Sequence, residues 1–154
     1  MEKSEYWKKL NVDELNDNEY EVAEHLDTMS DFMVIGNALE WISDMAKHAG
    51  YRVIHVDLDN FDVLRGTPKI MESESGVSYY ERIIPWQEEM NLYPEDKHLI
   101  IFSIDKADPK WVNVLSSFIE KHGDKYFVCV LTNNTDYNPK NTLIYDLVKP
   151  VIIW

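Results

Sequence analysis

Two aspartates separated by one residue are the pattern in this sequence that could do chemistry most directly. Asp57 and Asp59 lie at the end of the β-branched run 51–57, which predicts a strand. Carboxylate oxygens are ligands that Mg²⁺ prefers, so this pair could hold a divalent metal ion. Aspartate is also common where a strand passes into a loop, so the spacing leaves both interpretations open.

The other metal-ligating and nucleophilic residue types are scattered along the sequence. The five histidines form no pair at helical spacing and no cluster with the single cysteine, so the sequence predicts no zinc site. Cys129 lies in the apolar run 126–131, where we expect a small buried side chain rather than a catalytic thiolate. We therefore expect no metal and no cofactor.

Composition limits the class of protein. The chain has 154 residues, 45% of them hydrophobic, and its 28 Asp and Glu against 15 Lys and Arg give a formal net charge of −13. Such a chain can form one globular domain with a core. General nucleic-acid binding needs a surplus of cations, so we expect none. The sequence has no signal-peptide core and no apolar run of membrane-spanning length, which predicts a soluble, cytoplasmic protein without membrane association.

Acidic residues are concentrated in the first part of the chain. Residues 1–90 hold 20 acids and 8 bases, whereas residues 91–154 hold 8 acids and 7 bases. The pattern of residues 12–28 predicts an acidic helix, whose charges either solvate one helix face or bind a basic partner. Its apolar positions are Leu15, Tyr20, Val22, Ala23 and Leu26. The candidate partner-binding residues are Asp13, Glu14, Asp17, Glu19, Glu21, Glu24 and Asp27.

Apolar runs alternate with helical patterns over the rest of the chain. The predicted strands are residues 32–35, 51–57, 98–104, 126–131 and 151–154. The predicted helices are residues 38–48, 80–90 (with Pro85 near the start or as a break), 109–122 and 141–147. Residues 65–79, rich in Gly, Ser, Glu and Pro, predict a loop. The alternation predicts a three-layer α/β fold, a parallel sheet with helices on both faces.

Several segments, taken in order, resemble the nucleotide-binding core of AAA+ ATPases over about residues 31–154. The similar segments are residues 46–57 (the helix after the P-loop and the second strand), 99–109 (the Walker B strand and its continuation), 111–119 (the next helix) and 130–134 (the sensor-1 strand end). The resemblance implies a five-stranded parallel sheet in the order 5-1-4-3-2, with residues 32–35 as the central strand.

The functional residues of that family are replaced at the matching positions. The phosphate-binding lysine, the Mg²⁺-binding hydroxyl and both Walker B acids are missing, and we expect neither a helical lid domain nor an arginine finger. Phosphoryl transfer depends on these positioning and electrostatic groups, so their loss predicts a site without ATPase activity. The degenerate nucleotide-site positions are Gly36, Asn37, Ala38, Leu39, Phe102, Ser103 and Asn133.

A second resemblance concerns the paired aspartates. Residues 53–59 and 128–133 resemble the first two motifs of haloacid-dehalogenase-like phosphatases, which implies Asp57 as nucleophile and Asp59 as acid and base, with Mg²⁺ between them. That family also needs a later acidic motif, and the residues after Lys149 contain no acid. A Mg²⁺-dependent phosphatase is thus the alternative enzyme hypothesis.

Together these patterns predict a non-catalytic protein that keeps an AAA+-like core as a scaffold and acts by binding another protein. Residues 1–30 are expected to form an acidic helical segment and residues 31–154 the core, within one compact domain. The expected partner is a protein with a basic surface or an AAA+ ATPase, and the small size is typical of an inhibitor or regulator of phage or mobile-element origin. A non-catalytic subunit of a larger assembly is the further alternative.

Overall fold

The computed structural model of the chain describes residues 14–58, 66–105, 126–133 and 151–154. Its helices are α1 (Asp17–Thr28), α2 (Leu39–His48) and α3 (Pro85–Asn91). Its strands are β1 (Phe32–Ile35), β2 (Arg52–Asp57), β3 (Thr67–Glu72), β4 (Ser78–Ile83), β5 (His98–Ser103), β6 (Tyr126–Thr132) and β7 (Val151–Ile153). Within these ranges, no helix combines the length and apolarity needed to cross a membrane.

Five parallel strands form the main sheet in the order β2-β5-β6-β1-β7. Counted from β7, this is the predicted order 5-1-4-3-2, so both the α/β fold class and the strand order are confirmed. Strands β1 and β5 are buried along their whole length. Burial on both faces is the reason that these strands are continuous apolar runs in the sequence.

Separate apolar clusters cover the two faces of the main sheet. Helices α1 and α2 pack on one face, where Leu26 and Ile42 belong to the same cluster as Phe32. Helix α3 lies on the other face, and its Trp86 meets Phe102 edge-on with ring centroids 5.4 Å apart. Helices on both faces give the three-layer arrangement that the alternation predicted.

Helix α1 begins at Asp17 because Asn16 caps it. The Asn16 side chain accepts a hydrogen bond from the Glu19 N–H at 2.8 Å, and the Glu19 side chain accepts one from the Asn16 N–H at 3.1 Å. The predicted helix over residues 12–28 therefore starts later within the described part, and positions 12 and 13 lie outside it. Its predicted inner residues Val22, Ala23 and Leu26 are buried, whereas Tyr20 is 38% exposed.

The prediction of a loop over residues 65–79 is wrong for residues 67–72 and 78–79, which form strands, and is confirmed for the turn between them. Strands β3 and β4 form an antiparallel hairpin in which Met71 lies opposite Tyr79. The turn is closed by the Ser73 N–H, which donates to the Val77 carbonyl at 3.0 Å. The polar composition suggested a loop because an exposed hairpin carries polar side chains on both faces, and its pairing is not visible in one strand alone.

Helix α3 begins at Pro85, so the predicted helix over residues 80–90 is wrong in its first five residues. Residues 80–83 belong to β4 instead. Proline is favourable in the first turn of a helix because the missing N–H has no partner there, and its ring would clash in a preceding turn. The predicted helices over 109–122 and 141–147 lie outside the described residues.

Candidate functional site

Ligands of open parallel sheets bind at the carboxyl ends of the strands, where the AAA+ resemblance would place a nucleotide. Here Gly36, Asn37 and Ala38 join β1 to α2, and Leu39 is the first residue of α2. The Gly36 N–H donates to the Thr132 carbonyl at 2.8 Å, and the Ala38 N–H donates to the Gly36 carbonyl at 3.0 Å. Two backbone donors that a phosphate-binding loop would offer to a ligand are thus used within the protein.

Trp154 lies against this connection. The backbone of Gly36 has φ +140°, and a Cβ at this position would lie 2.7 Å from the Trp154 Cβ. Trp154 is fixed there because its N–H donates to the Ile35 carbonyl at 2.8 Å, and its ring packs on Trp41 with centroids 5.2 Å apart. Glycine at position 36 therefore permits a close packing contact.

The two positions that match the Walker B acids face opposite sides of the sheet. Phe102 is fully buried in the cluster that contains Trp86. Ser103 is 8% exposed, and its Oγ lies 2.7 Å from Nε2 of His55. A serine hydroxyl bonded to an imidazole is the arrangement that activates a nucleophile, but this hydroxyl is buried. This pair was not predicted from the sequence. The only indication of it there is that each of two apolar runs contains a polar residue, His55 in one and Ser103 in the other.

Asp105 joins the ends of β5 and β6. Its Oδ1 accepts hydrogen bonds from Thr132 Oγ1 at 2.7 Å and from the Asn133 N–H at 2.8 Å. The predicted sensor position, Asn133, is exposed, while its main-chain donor is bonded to this carboxylate. Asp105 therefore ties two strand ends together, a role that the sequence analysis did not assign to it.

Only the first member of the Asp57 and Asp59 pair lies in the described part of the chain. Asp57 ends β2 beside Ser103 in the register and has an exposed side chain. Across the described ranges, no group of three or more His, Cys, Asp and Glu side chains is arranged to hold a metal ion. Cys129 is fully buried, and burial raises the pKa of its thiol well above the usual range.

The acidic residues of α1 lie outside its buried stripe. Among the candidate partner-binding residues, Glu14, Asp17 and Glu24 are exposed, while Glu19, Glu21 and Asp27 are half-buried; Asp13 lies outside the described residues. The intervals of four and three residues between Asp17, Glu21 and Glu24 place these three on one line along α1, and Glu14 lies just before the Asn16 cap. We call these four residues the acidic stripe.

No cation from the same segment neutralises the acidic stripe. Residues 14–31 contain seven Asp and Glu and no Lys or Arg. Their one histidine, His25, has its pKa lowered by burial, although Glu21, Glu24 and Asp31 oppose this effect. The helix is also held firmly, because Asn18 Nδ2 donates to the Ile153 carbonyl of β7 at 2.8 Å. The stripe is thus a negative surface on a fixed support.

The amino end of the main sheet has a different character. His98, the first residue of β5, is 1% exposed, and neither ring nitrogen meets a partner in hydrogen-bonding geometry. Burial lowers its pKa and outweighs the opposing influence of Asp96. Nearby, Arg52 Nε lies 2.6 Å from Asp96 Oδ2, and the guanidinium lies 3.2 Å above the centre of the Tyr93 ring.

Comparison of the chain with protein-family models finds no match. Comparison with curated proteins finds no match either.

Proposed function

We propose that this chain is a non-catalytic binding protein that inhibits or regulates a protein partner with a basic surface, using an AAA+-like core as its scaffold. The observation that carries this proposal is the acidic stripe on α1. Three of its four charges lie on one side of the helix, whose buried side is packed on the main sheet. A charged surface on a rigid support keeps its geometry when it meets a partner, so little conformational entropy is lost on binding.

Electrostatics would act mainly on the rate of encounter. Opposite charges steer two proteins together and raise the association rate, and the effect falls as salt rises. The Debye length is about 8 Å at physiological ionic strength, so charges spaced along two or three helical turns act together on a nearby basic surface. The proposal therefore predicts binding that weakens steeply with salt.

The connection between β1 and α2 supports the non-catalytic part of the proposal. Its Gly36 and Ala38 donors are bonded internally, and Trp154 is packed against it. A phosphate at this position would need free backbone donors and a lysine, and the sequence has neither Lys nor Arg between residues 32 and 46. A fold can lose its chemistry in this way and keep its surfaces for binding.

The test compares two sets of substitutions that remove the same charge. One variant carries Glu14→Gln, Asp17→Asn, Glu21→Gln and Glu24→Gln; its control carries Glu→Gln at the exposed positions 72, 74, 81 and 95. Partners are captured from a cell lysate at low salt, purified and titrated against each protein. We expect about tenfold weaker binding for the stripe variant and less than about threefold for the control. Equal losses in both variants would show that net charge, not the acidic stripe, drives binding.

Where the captured partner is an AAA+ ATPase, its ATPase rate measured with and without this chain reports inhibition directly. A thermal-shift experiment with Mg²⁺-ATP tests the non-catalytic part, and we expect no rise in melting temperature. A ligand present at 100 times its dissociation constant would stabilise the fold by about 2.7 kcal/mol. A clear rise would therefore contradict the proposal.

The alternative hypothesis, a Mg²⁺-dependent phosphatase, predicts catalytic turnover. It requires Mg²⁺-dependent hydrolysis of p-nitrophenyl phosphate that Asp57→Asn abolishes. We expect no such turnover from the wild-type protein. Turnover that disappears in the Asp57→Asn variant would replace the binding-protein proposal.

A further inference from the structure

Strand β2 is the outermost strand of the main sheet as described, where it pairs with β5 alone. Two hydrogen bonds show which residues of β2 direct their backbone groups toward β5. The Arg52 N–H donates to the Lys97 carbonyl, and the Leu58 N–H donates to the Ser103 carbonyl, each at 3.0 Å. In a parallel pair, every second residue directs its N–H and C=O toward the same neighbour. The even-numbered residues of β2 therefore bond to β5.

It follows that the odd-numbered residues of β2 direct their backbone groups away from β5. Val53 and His55 present N–H and C=O groups along the outer edge, in alternation with Ile54 and Val56, which bond to β5. An edge of this kind is a template for pairing with another strand.

Two cavities lie side by side along the same edge. The first, of about 300 Å³, is bounded by residues 51–54 of the chain together with Lys47 and Glu89. The second, of about 240 Å³, is bounded by residues 54–57 together with Trp86 and Glu89. Because both share Ile54 and Glu89, they are neighbouring compartments of one groove, which we call the β2 groove.

We propose that the β2 groove binds an extended segment of a basic partner protein, which adds a strand to the main sheet. Backbone pairing to Val53 and His55 supplies the contact that does not depend on sequence, and the cavities supply specificity. Alternate side chains of a strand lie about 7 Å apart on one face, so neighbouring compartments accept residues two positions apart.

The charges in the groove select a Lys or Arg for the second cavity. Asp57 and Glu89 both line it, and no Lys or Arg is among the described residues that line it. Pro85 and Trp86 also line this cavity and offer apolar surface to the aliphatic stem of a long basic side chain. The first cavity also contains the cations Lys47 and Arg52, so it is assigned to an uncharged side chain.

Backbone amide hydrogen exchange tests whether the edge is open in the free protein. We expect the amides of Val53 and His55 to exchange at least about a hundredfold faster than those of Ile54 and Val56. Equal protection at all four positions in the monomer would overturn the proposal. Protection of Val53 and His55 that grows with protein concentration, together with a doubled mass, would assign the edge to a second copy and would overturn it as well.

Three end-blocked peptides test the occupant. Each has the six-residue length of β2. The Val and Lys peptide places Val and Lys two positions apart with Thr between them (Val-Thr-Lys-Thr-Val-Thr), the second peptide has Glu in place of Lys, and the third is the Val and Lys peptide N-methylated at alternate residues. At about 1 mM, a concentration suited to weak peptide binding, we expect the first to slow exchange at Val53 and His55 about tenfold and the others to have no effect. Equal action of the N-methylated peptide, or no effect of any peptide, would overturn strand addition.

Matched variants locate the contact. Val53→Pro removes an outward N–H without removing a bond to β5, whereas Val53→Thr retains that N–H, so the first should abolish peptide binding and the second should not. Glu89→Gln should weaken binding of the Val and Lys peptide about tenfold, and Glu88→Gln, outside both cavities, should leave it unchanged. This second comparison tests the proposal even if Val53→Pro does not fold. Equal binding by the Glu89 and Glu88 variants would show that the peptide does not place its Lys in the cavity lined by Glu89.

The variant that lacks the acidic stripe should bind this peptide as the wild type does, because the stripe belongs to α1 rather than to the groove. Loss of partner capture in that variant with intact peptide binding would support both proposals. Intact partner capture with intact peptide binding would reject the acidic stripe alone.

Discussion

At the carboxyl end of the main sheet the polar groups bond to one another, whereas at the amino end a buried histidine meets no partner in hydrogen-bonding geometry. The carboxyl end holds the Asp105 carboxylate with its two donors, and the Gly36 N–H bonded to Thr132. The amino end holds His98 and the exposed Arg52 and Asp96 pair. The end that would bind a ligand in a nucleotide-binding fold is thus the internally bonded one.

The internal bonds at the carboxyl end stabilise the fold, because buried donors and acceptors without partners would destabilise it. Among the described strands, β2 pairs with β5 alone, so its outward backbone groups bond to no other strand there. Substitutions at the carboxyl end should therefore lower the stability of the fold more than substitutions at the amino end.

Gly36→Ala should produce the largest loss of stability, about 3 kcal/mol. It adds backbone strain and a Cβ contact of 2.7 Å with Trp154, and each of these costs about 1–3 kcal/mol. Gly50→Ala is the matched control, since Gly50 also has positive φ but no atom lies within 4 Å of its added Cβ. Urea denaturation measures both. If Gly36→Ala lowers the free energy of unfolding by no more than the control does, about 1 kcal/mol, the contact with Trp154 adds nothing to the cost.

Asp105→Ala should cost about 2 kcal/mol because it leaves the buried Thr132 hydroxyl and the Asn133 N–H without this acceptor. Asp105→Asn retains an oxygen at this position and should cost less. The control is Asp44→Ala on the exposed side of α2, with an expected change under about 0.5 kcal/mol. If chemical denaturation gives the same midpoint for Asp105→Ala and Asp44→Ala, the carboxyl end is not held together as described.

The histidines predict a loss of stability in mild acid. Burial lowers the native pKa of His98 and of His25 below the ordinary value of 6.5. As pH falls below 6.5, the unfolded chain binds protons before the native chain does, so the stability present above that pH is progressively lost. Urea midpoints at about pH 7.5 and about pH 5.5 measure this loss. The double variant His25→Leu and His98→Leu should reduce the pH dependence.

Exposed His48 provides the control for that experiment. His48→Leu should leave the pH dependence of the urea midpoint as it is in the wild type. If the urea midpoint of the double variant depends on pH as strongly as that of the wild type, these two imidazoles do not cause the loss of stability in acid.

The smallest effect is expected for Arg52 and Asp96, whose side chains are 45% and 46% exposed. A double-mutant cycle with Arg52→Gln and Asp96→Asn should give a coupling energy below about 1 kcal/mol, since water screens exposed ion pairs. The coupling should decrease further in about 0.5 M NaCl. A coupling above about 2 kcal/mol would show that the amino end is bonded as firmly as the carboxyl end.

The α/β class and the acidic helix were predictable from local patterns. Continuous apolar runs indicated strands buried on both faces, and the spacing of Val22, Ala23 and Leu26 indicated the packed side of α1. The β3 and β4 hairpin was missed because neither strand shows the apolar pattern of a buried element. The strand order came from a family resemblance rather than from periodicity.

The candidate site could be predicted only as a set of missing groups. The sequence shows that positions 36–39, 102 and 103 hold no lysine and no acid, but it does not show which backbone donors are bonded internally. Asp105 follows β5 and Thr132 ends β6, and His55 meets Ser103 only when β2 and β5 pair. Such contacts join residues far apart in the chain, so no local pattern specifies them.

The sequence by itself determined which segments form the strands of the main sheet, the excess of negative charge and its concentration in the first 90 residues. These properties depend on side-chain type and spacing along the chain. The tertiary structure alone decided that Trp154 packs against Gly36 and that β2 forms the outer edge beside two cavities. Each of these depends on which distant segments become neighbours, because hydrogen bonding and close packing act between groups in space rather than along the sequence.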